Sequence, residues 1–420
     1  MNEHLESIRD SAFFSGTVLV KQGDTTILCK GYGQAIDEIP NTASTAFHIG
    51  SVTKQFTAAA VMKLVESGAI DLHAPINQYL PSDFQSEKYK DLTPHHLLSH
   101  TSGIADYTSM ENYDPEALTV DGILLDFKEK DLEFPTGEQY AYSNTGYLLL
   151  GKIIEKMSGM SYQEFIQDQI FTPAGMTHSC IPNKMYDETL GMARGHRLNE
   201  QMTSLEKEPG DDAHLCFADG GIVSTVEDLS KWSRVLDGNS PVLSKASIHQ
   251  MTTPNLDNHG YGLNITTDMG QKKIAHSGGM FGFASEFRKY PESDLLIVLL
   301  TNTTDVDPSM IGKNLEQIVL HPEKDSPHII PFPADFDFSP YLQSFHSEKY
   351  GNENVMFEKD LNQHRLVRWD PPRPCFLLSN GNIYFPVNGI EFEKQADGKL
   401  LVYCGDLSEP LDILSPVITT

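Results

Sequence analysis

Hydrophobic and polar positions alternate in short runs at both ends of roughly the first 320 residues and recur at helical spacing between them. The run from Gly16 to Ala35, GTVLVKQGDTTILCKGYGQA, predicts a hairpin: two β-rich segments flank Gln22-Gly23-Asp24. A helix is expected from about Ser51 to Ser67, ended by Gly68. DLTPHHLLSHTSGI predicts a short helix after Pro94 that stops by Gly103, and SNTGYLLLGKIIEKMSG a longer one ended at Gly159. Ser161 with Glu164, and Ser224 with Glu227, have the spacing of capping boxes and mark two further helix starts. YGLNITTD, KKIAHSGG, FASEFRKYP and DLLIVLLTN then follow as four strand-like runs, and PSMIGKNLEQIVL returns to helix.

Helices in the middle with strands from both ends define an α+β layout, in which the early hairpin joins the late strands in one antiparallel sheet. The segment HPEKDSPHIIPFPADFDFSP carries five prolines and no periodicity, so residues 323–340 read as a linker. Beyond it, NIYFPV, IEFEKQ and KLLVYCG alternate between Gly- and Asn-bearing breaks. The expected organisation is a larger α+β domain over residues 1–322 and a small antiparallel β domain over residues 341–420.

One feature conflicts with plain amphipathic patterning. In FHIGSVTKQFTAAAVMKLVESG, Ser51 and Lys54 stand three apart, on one helix face, beside small apolar residues. A buried lysine costs free energy unless it is paired. A serine in the first turn of a helix lies where free N–H groups favour developing negative charge. A neighbouring amine can take its proton, which is how a weak hydroxyl nucleophile is activated. Alone, the spacing also fits an N-cap serine and a snorkelling lysine.

Two later stretches change that balance. YAYSNTG places Tyr142, Ser143 and Asn144 before a helix, and KIAHSGGMFGF ends a strand in His276, Ser277, Gly278 and Gly279. With SVTK, YSN and HSG in that order, the sequence resembles the serine β-lactamases and penicillin-binding proteins. It is most similar to the class C β-lactamase-like branch that includes D,D-peptidases, D-aminopeptidases and esterases. HLLSHTSG, GGIVSTVEDL and the block from HSGG to LLIVLLTN support the resemblance, which covers about residues 12 to 320. It implies a β-lactamase/transpeptidase-like fold: an antiparallel sheet flanked by helices, plus a helical subdomain. It also implies Ser51 as acylated nucleophile, Lys54 and Tyr142 as proton-transfer pair, and Asn144 as partner of Lys54 and of the substrate amide. The N–H groups of Ser51 and Gly279 would form an oxyanion hole, and His276 to Gly279 a substrate-binding edge. Histidine stands at 276 where lactamases and many transpeptidases carry lysine, so a substrate carboxylate would meet a group charged only in part near neutrality. The esterase and aminopeptidase members of the branch often use histidine there.

The expected activity is that of a metal-free serine hydrolase, without cofactor, acting through an acyl-enzyme on small peptides, including ones with D-residues, or on small esters. The alternatives are a penicillin-binding D,D-carboxypeptidase or weak β-lactamase, and a catalytically silent binding protein of the same fold. His96 and His100 have zinc-like spacing, but HHLLSH lacks the glutamate of HExxH, which favours a structural role. A formal charge of −27 argues against nucleic acid or an anionic membrane as partner. The five cysteines are odd in number and show no CxxC, so neither a disulfide framework nor a zinc knuckle is expected. The N-terminus, MNEHLESIRDSAFFSG, lacks the pattern of a signal peptide, so the chain as written is expected in the cytoplasm, or in the periplasm or outside the cell if a leader was removed.

Overall fold

The structure, a computed structural model, describes residues 14–322 except 111–117, 185, 200–204, 209–216 and 305–307; beyond 328 it describes the segments that pair as strands and one connecting turn. Six strands form the central sheet: β1 (Gly16–Gln22), β2 (Thr25–Tyr32), β3 (Asn264–Asp268), β4 (Gln271–Met280), β5 (Phe283–Tyr290) and β6 (Leu295–Thr301). Their order is β2-β1-β6-β5-β4-β3. The first hairpin does join the late strands: β1 runs antiparallel to β6, with Gly16 opposite Thr301 and Gln22 opposite Leu295.

The strand pattern explains the layers. In β6, LLIVLLT is buried throughout. Leu296, Val298 and Leu300 join Leu19 of β1 on one face, while Leu295, Ile297 and Leu299 join Val18 and Val20 on the other. A strand covered on both faces loses its polar alternation, hence the continuous apolar run. The larger face packs against α1 (Lys54–Glu66), α2 (Asn144–Ser158) and α3 (Val226–Leu236). The smaller face is closed by α4 (Pro308–Leu320) through Met310, Ile311 and Leu315. α1 is the central helix: its residues from Lys54 to Met62 are all buried, so that stretch has no wet face.

Two local expectations shift. Ser51 lies not in the α-helix but in a 3-10 turn, Gly50–Thr53, that leads into it. The cap of α3 is Thr225, whose side chain accepts from Asp228 N–H. Ser224, the expected cap, is instead a strand residue opposite Phe47, and its hydroxyl bonds Ser179. The Ser161–Glu164 capping box forms as expected.

From Ile329 onward the described strands pair antiparallel in a separate ten-stranded sheet. Ile329–Ile330, within the segment read as linker, pairs with Leu377 and Leu378 in that sheet; the rest of the linker lies outside the described residues.

α4 also anchors the first unit electrostatically. Arg288 of β5 is fully buried and donates to Glu316 of α4 at 3.0 Å and to Glu286 at 2.8 Å. Breaking such a pair leaves an uncompensated buried charge, so the first unit needs α4. We propose that this unit ends near residue 322. A chain truncated there is expected to stay soluble and to unfold cooperatively on heating; an insoluble product would place the last residues inside the same folding unit.

Candidate active site

The site is built where the 3-10 turn, the N-terminus of α2 and the edge of β4 converge. Gly50 takes φ +47, and a Cβ there would lie 2.7 Å from Gly279 N, so only glycine lets the turn press onto β4. The same closeness acts from the other side: a Cβ on Gly278 would meet Ile49 O at 2.1 Å and Ser51 N at 3.0 Å. Ser285 of β5 donates to Ile49 O at 2.8 Å and fixes the turn further. Ser51 is thereby held half-buried beside the strand edge.

Lys54 begins α1 and is fully buried. Its ammonium donates to Ser51 Oγ at 3.1 Å, Asn144 Oδ1 at 2.7 Å and the Asp219 carbonyl at 2.6 Å. Three acceptors match the three N–H bonds of an ammonium. Burial pulls Lys54 down to about 8, against the pull of the Asp219 and Asp106 carboxylates. The Lys54 nitrogen lies 4.9 Å from the Tyr142 ring centre. A side-chain hydrogen bond joins Tyr142 to Ser51, yet burial raises the Tyr142 phenol well above its usual range.

Asn144 opens α2, with Ser143 as cap. Asp106 orients it, accepting from its backbone N–H and its side-chain amide, both at 3.1 Å. Tyr107 donates to Asp219 Oδ2 at 2.8 Å. Asp106, Tyr107 and Asp219 escaped the sequence reading. Asp106 and Asp219 lie outside helices and strands and Tyr107 in a short 3-10 turn, and their contacts span 38 residues, from Asp106 to Asn144, and 112, from Tyr107 to Asp219.

A cavity of about 240 Å³ opens on Ser51. Tyr107, Thr108, Asn144 and Asp219 form a polar wall; Met280 and Phe281 form an apolar one, with Gly279 between. Ser277 is exposed on the strand. His276 is buried behind Tyr142, its ring centre 6.4 Å away, and is not among the residues lining the cavity. Burial and then Lys54 push His276 down to about 3. The partial charge expected of it near neutrality is therefore absent: the low-dielectric setting disfavours imidazolium. His259 behaves alike, at about 4, and His100 is lowered well below the usual histidine value, both chiefly by burial. His100 stacks on Tyr142 at 4.3 Å, and its Nδ1 accepts Ser143 N–H at 3.0 Å. His96 closes a capping box with Thr93. Both histidines of the zinc-like spacing thus have structural partners.

Among the described residues no helix is long and apolar enough to cross a membrane. Penicillin-binding protein 4* of Bacillus subtilis (strain 168) is 29% identical over 320 residues, covering 71% of this chain and 70% of that protein. The octameric penicillin-binding protein homologue from Pyrococcus abyssi matches 99% of this chain and 98% of its own, with TM-score 0.70 and 26% identity. The D-amino acid amidase from Ochrobactrum anthropi SV3, in complex with D-phenylalanine, matches 71% of this chain and 89% of its own, with TM-score 0.59 and 25% identity. The architecture is the β-lactamase/transpeptidase fold expected from the motifs. Since the sequence model of the Beta-lactamase family matches residues 3–319, the chain belongs to that family.

Proposed function

We propose that the chain is a serine hydrolase that forms an acyl-enzyme at Ser51 and acts on small amides or esters, including those of D-amino acids and short peptides. The observation that carries this reading is the 3.1 Å bond from the buried Lys54 ammonium to Ser51 Oγ at the wall of a cavity. Lys54 and Tyr142 form one proton-transfer unit. The unit can accept a proton only after it has lost one, which the lowered Lys54 value makes accessible near neutral pH; in that form it takes the Ser51 proton as Oγ attacks the carbonyl carbon and passes it to the leaving nitrogen or oxygen. Water then attacks the ester so formed and gives a proton to the unit, which passes it to Ser51 Oγ as the ester C–O bond breaks and the acid leaves. The N–H groups of Ser51 and Gly279 receive the oxyanion. Asn144 holds Lys54 and presents its amide to the substrate. No step in this scheme calls for a metal.

The cavity favours a compact acyl group with one apolar side, placed against Met280 and Phe281. The amidase that holds D-phenylalanine supports this class. The likeness to penicillin-binding protein 4* favours a second reading, a D,D-carboxypeptidase or β-lactamase. Neutral His276 counts against it, since a substrate carboxylate would lack a fixed cation from that position. A silent binding protein of the same fold would not react covalently.

A fluorophosphonate label followed by peptide mapping is expected to mark Ser51, and Ser51→Ala to abolish labelling while changing stability by less than about 1 kcal/mol. A purified-protein panel is expected to show higher kcat/KM for neutral D-amino acid amides and esters than for penicillin. Labelling at another serine overturns the nucleophile; faster penicillin turnover moves the second reading to first place.

The two glycines of β4 separate packing from chemistry. Gly278→Ala is expected to slow labelling by about 10²-fold, because its Cβ collides with backbone beside the proposed oxyanion donors. Gly279→Ala keeps the backbone N–H, and its Cβ would meet nothing within 4 Å, so it is expected to slow labelling less than Gly278→Ala does. Equal losses in both would mean that the close approach of turn and strand does not set the rate.

A further inference from the structure

The Lys54 ammonium needs only the backbone carbonyl of Asp219, which any residue would supply. The side chain is a separate matter. Asp219 is 5% exposed, and a carboxylate so buried is costly without a countercharge. One oxygen accepts from Tyr107, and the other, Oδ1, has no hydrogen-bond partner among the described residues. Tyr107 is itself held, its N–H donating to Thr145 Oγ1 at 2.9 Å at the start of α2. The carboxylate is thus fixed in place beside the Lys54 pocket by the element that also delivers Asn144.

We propose that Asp219 is a positioning residue whose buried carboxylate, locked by Tyr107, sets how the proton is shared between Lys54 and Tyr142. This rests on the proposed role of that pair at Ser51. The groups acting on Lys54 come from every neighbouring element. His100, His259 and His276 are all held neutral by burial near neutral pH, so they supply no fixed charge. Tyr142 and Tyr147 place their rings 4.9 and 5.4 Å from the ammonium with phenols raised by burial. Asn144 and Ser51 are neutral partners. The anionic influence comes from Asp219 first and Asp106 second.

The sign is the same for both members of the pair. A nearby negative charge favours ammonium over amine and phenol over phenolate, so removing it lowers both titrations. Asp219 raises Lys54 and Tyr142 alike. Whichever of the two takes the serine proton, loss of the carboxylate moves the pH profile toward acid. A residue that merely filled space would change rate or stability without moving a midpoint.

The test uses full-length protein carrying 13C at its lysine ε-carbons. The Lys54 midpoint is read by NMR titration, and the fluorophosphonate labelling rate is measured across the same pH range. Asp219→Asn is expected to lower both midpoints by about one pH unit. Asp219→Ala, a second neutral replacement that serves if the first does not fold, is expected to do the same, and Asp219→Glu to restore most of the shift. A rate that falls with both midpoints unmoved overturns the proposal. If wild type is not labelled at Ser51 but the Lys54 midpoint still drops in Asp219→Asn, the electrostatic role stands and the acyl-enzyme reading fails.

Discussion

The architecture of the site depends on one constraint: an ammonium group has been taken fully out of water. Desolvating such an ion costs on the order of several kcal/mol even after the protein relaxes. Lys54 recovers this through three short hydrogen bonds, to Ser51, Asn144 and Asp219. Each acceptor arrives from a different part of the chain: the 3-10 turn, the first residue of α2, and the loop before Ser224. Placing Lys54 therefore places all three segments. Gly50 lets the turn reach β4, and the buried α1 fixes the lysine backbone.

The same constraint governs the electrostatics around it. A low-dielectric pocket that holds one cation disfavours a second, and His100, His259 and His276 are all driven toward the neutral form there. Neutral rings stack and seal the pocket behind Tyr142 without opposing Lys54. The carboxylates of Asp106 and Asp219 limit how far the lysine falls. Asp219 lines the cavity with Tyr107, Thr108 and Asn144, while Met280 and Phe281 are apolar, so the lining is chemically mixed.

Much of this was legible in local pattern. The β-rich runs at both ends of the first 320 residues, with the hairpin signal at Gly23, were enough to join the first and last strands of the sheet. The order SVTK, YSN, HSG brought Ser51, Lys54, Tyr142 and Asn144 into one site, and they do meet. What was not legible depends on distance along the chain or on burial. Nothing around Asp219 in FADGG marks a buried carboxylate, and its partner Tyr107 lies 112 residues away. The charge of His276 departs from expectation because residue type gives an unperturbed value, whereas burial and then Lys54 lower it in the fold. The α3 cap slipped by one residue because Ser224 had a competing use in a strand.

The central claim is that Lys54 and Tyr142 act on Ser51 as one unit, and a double-mutant cycle tests it most directly. The fluorophosphonate labelling rate would be measured for Lys54→Ala, Tyr142→Phe and the double variant. Each single change is expected to cost about 10² to 10⁴ in rate, the range for losing a positioned proton-transfer group. The double variant should be little slower than the slower single one, because removing either member disables the unit. Losses that multiply in the double variant would contradict the account.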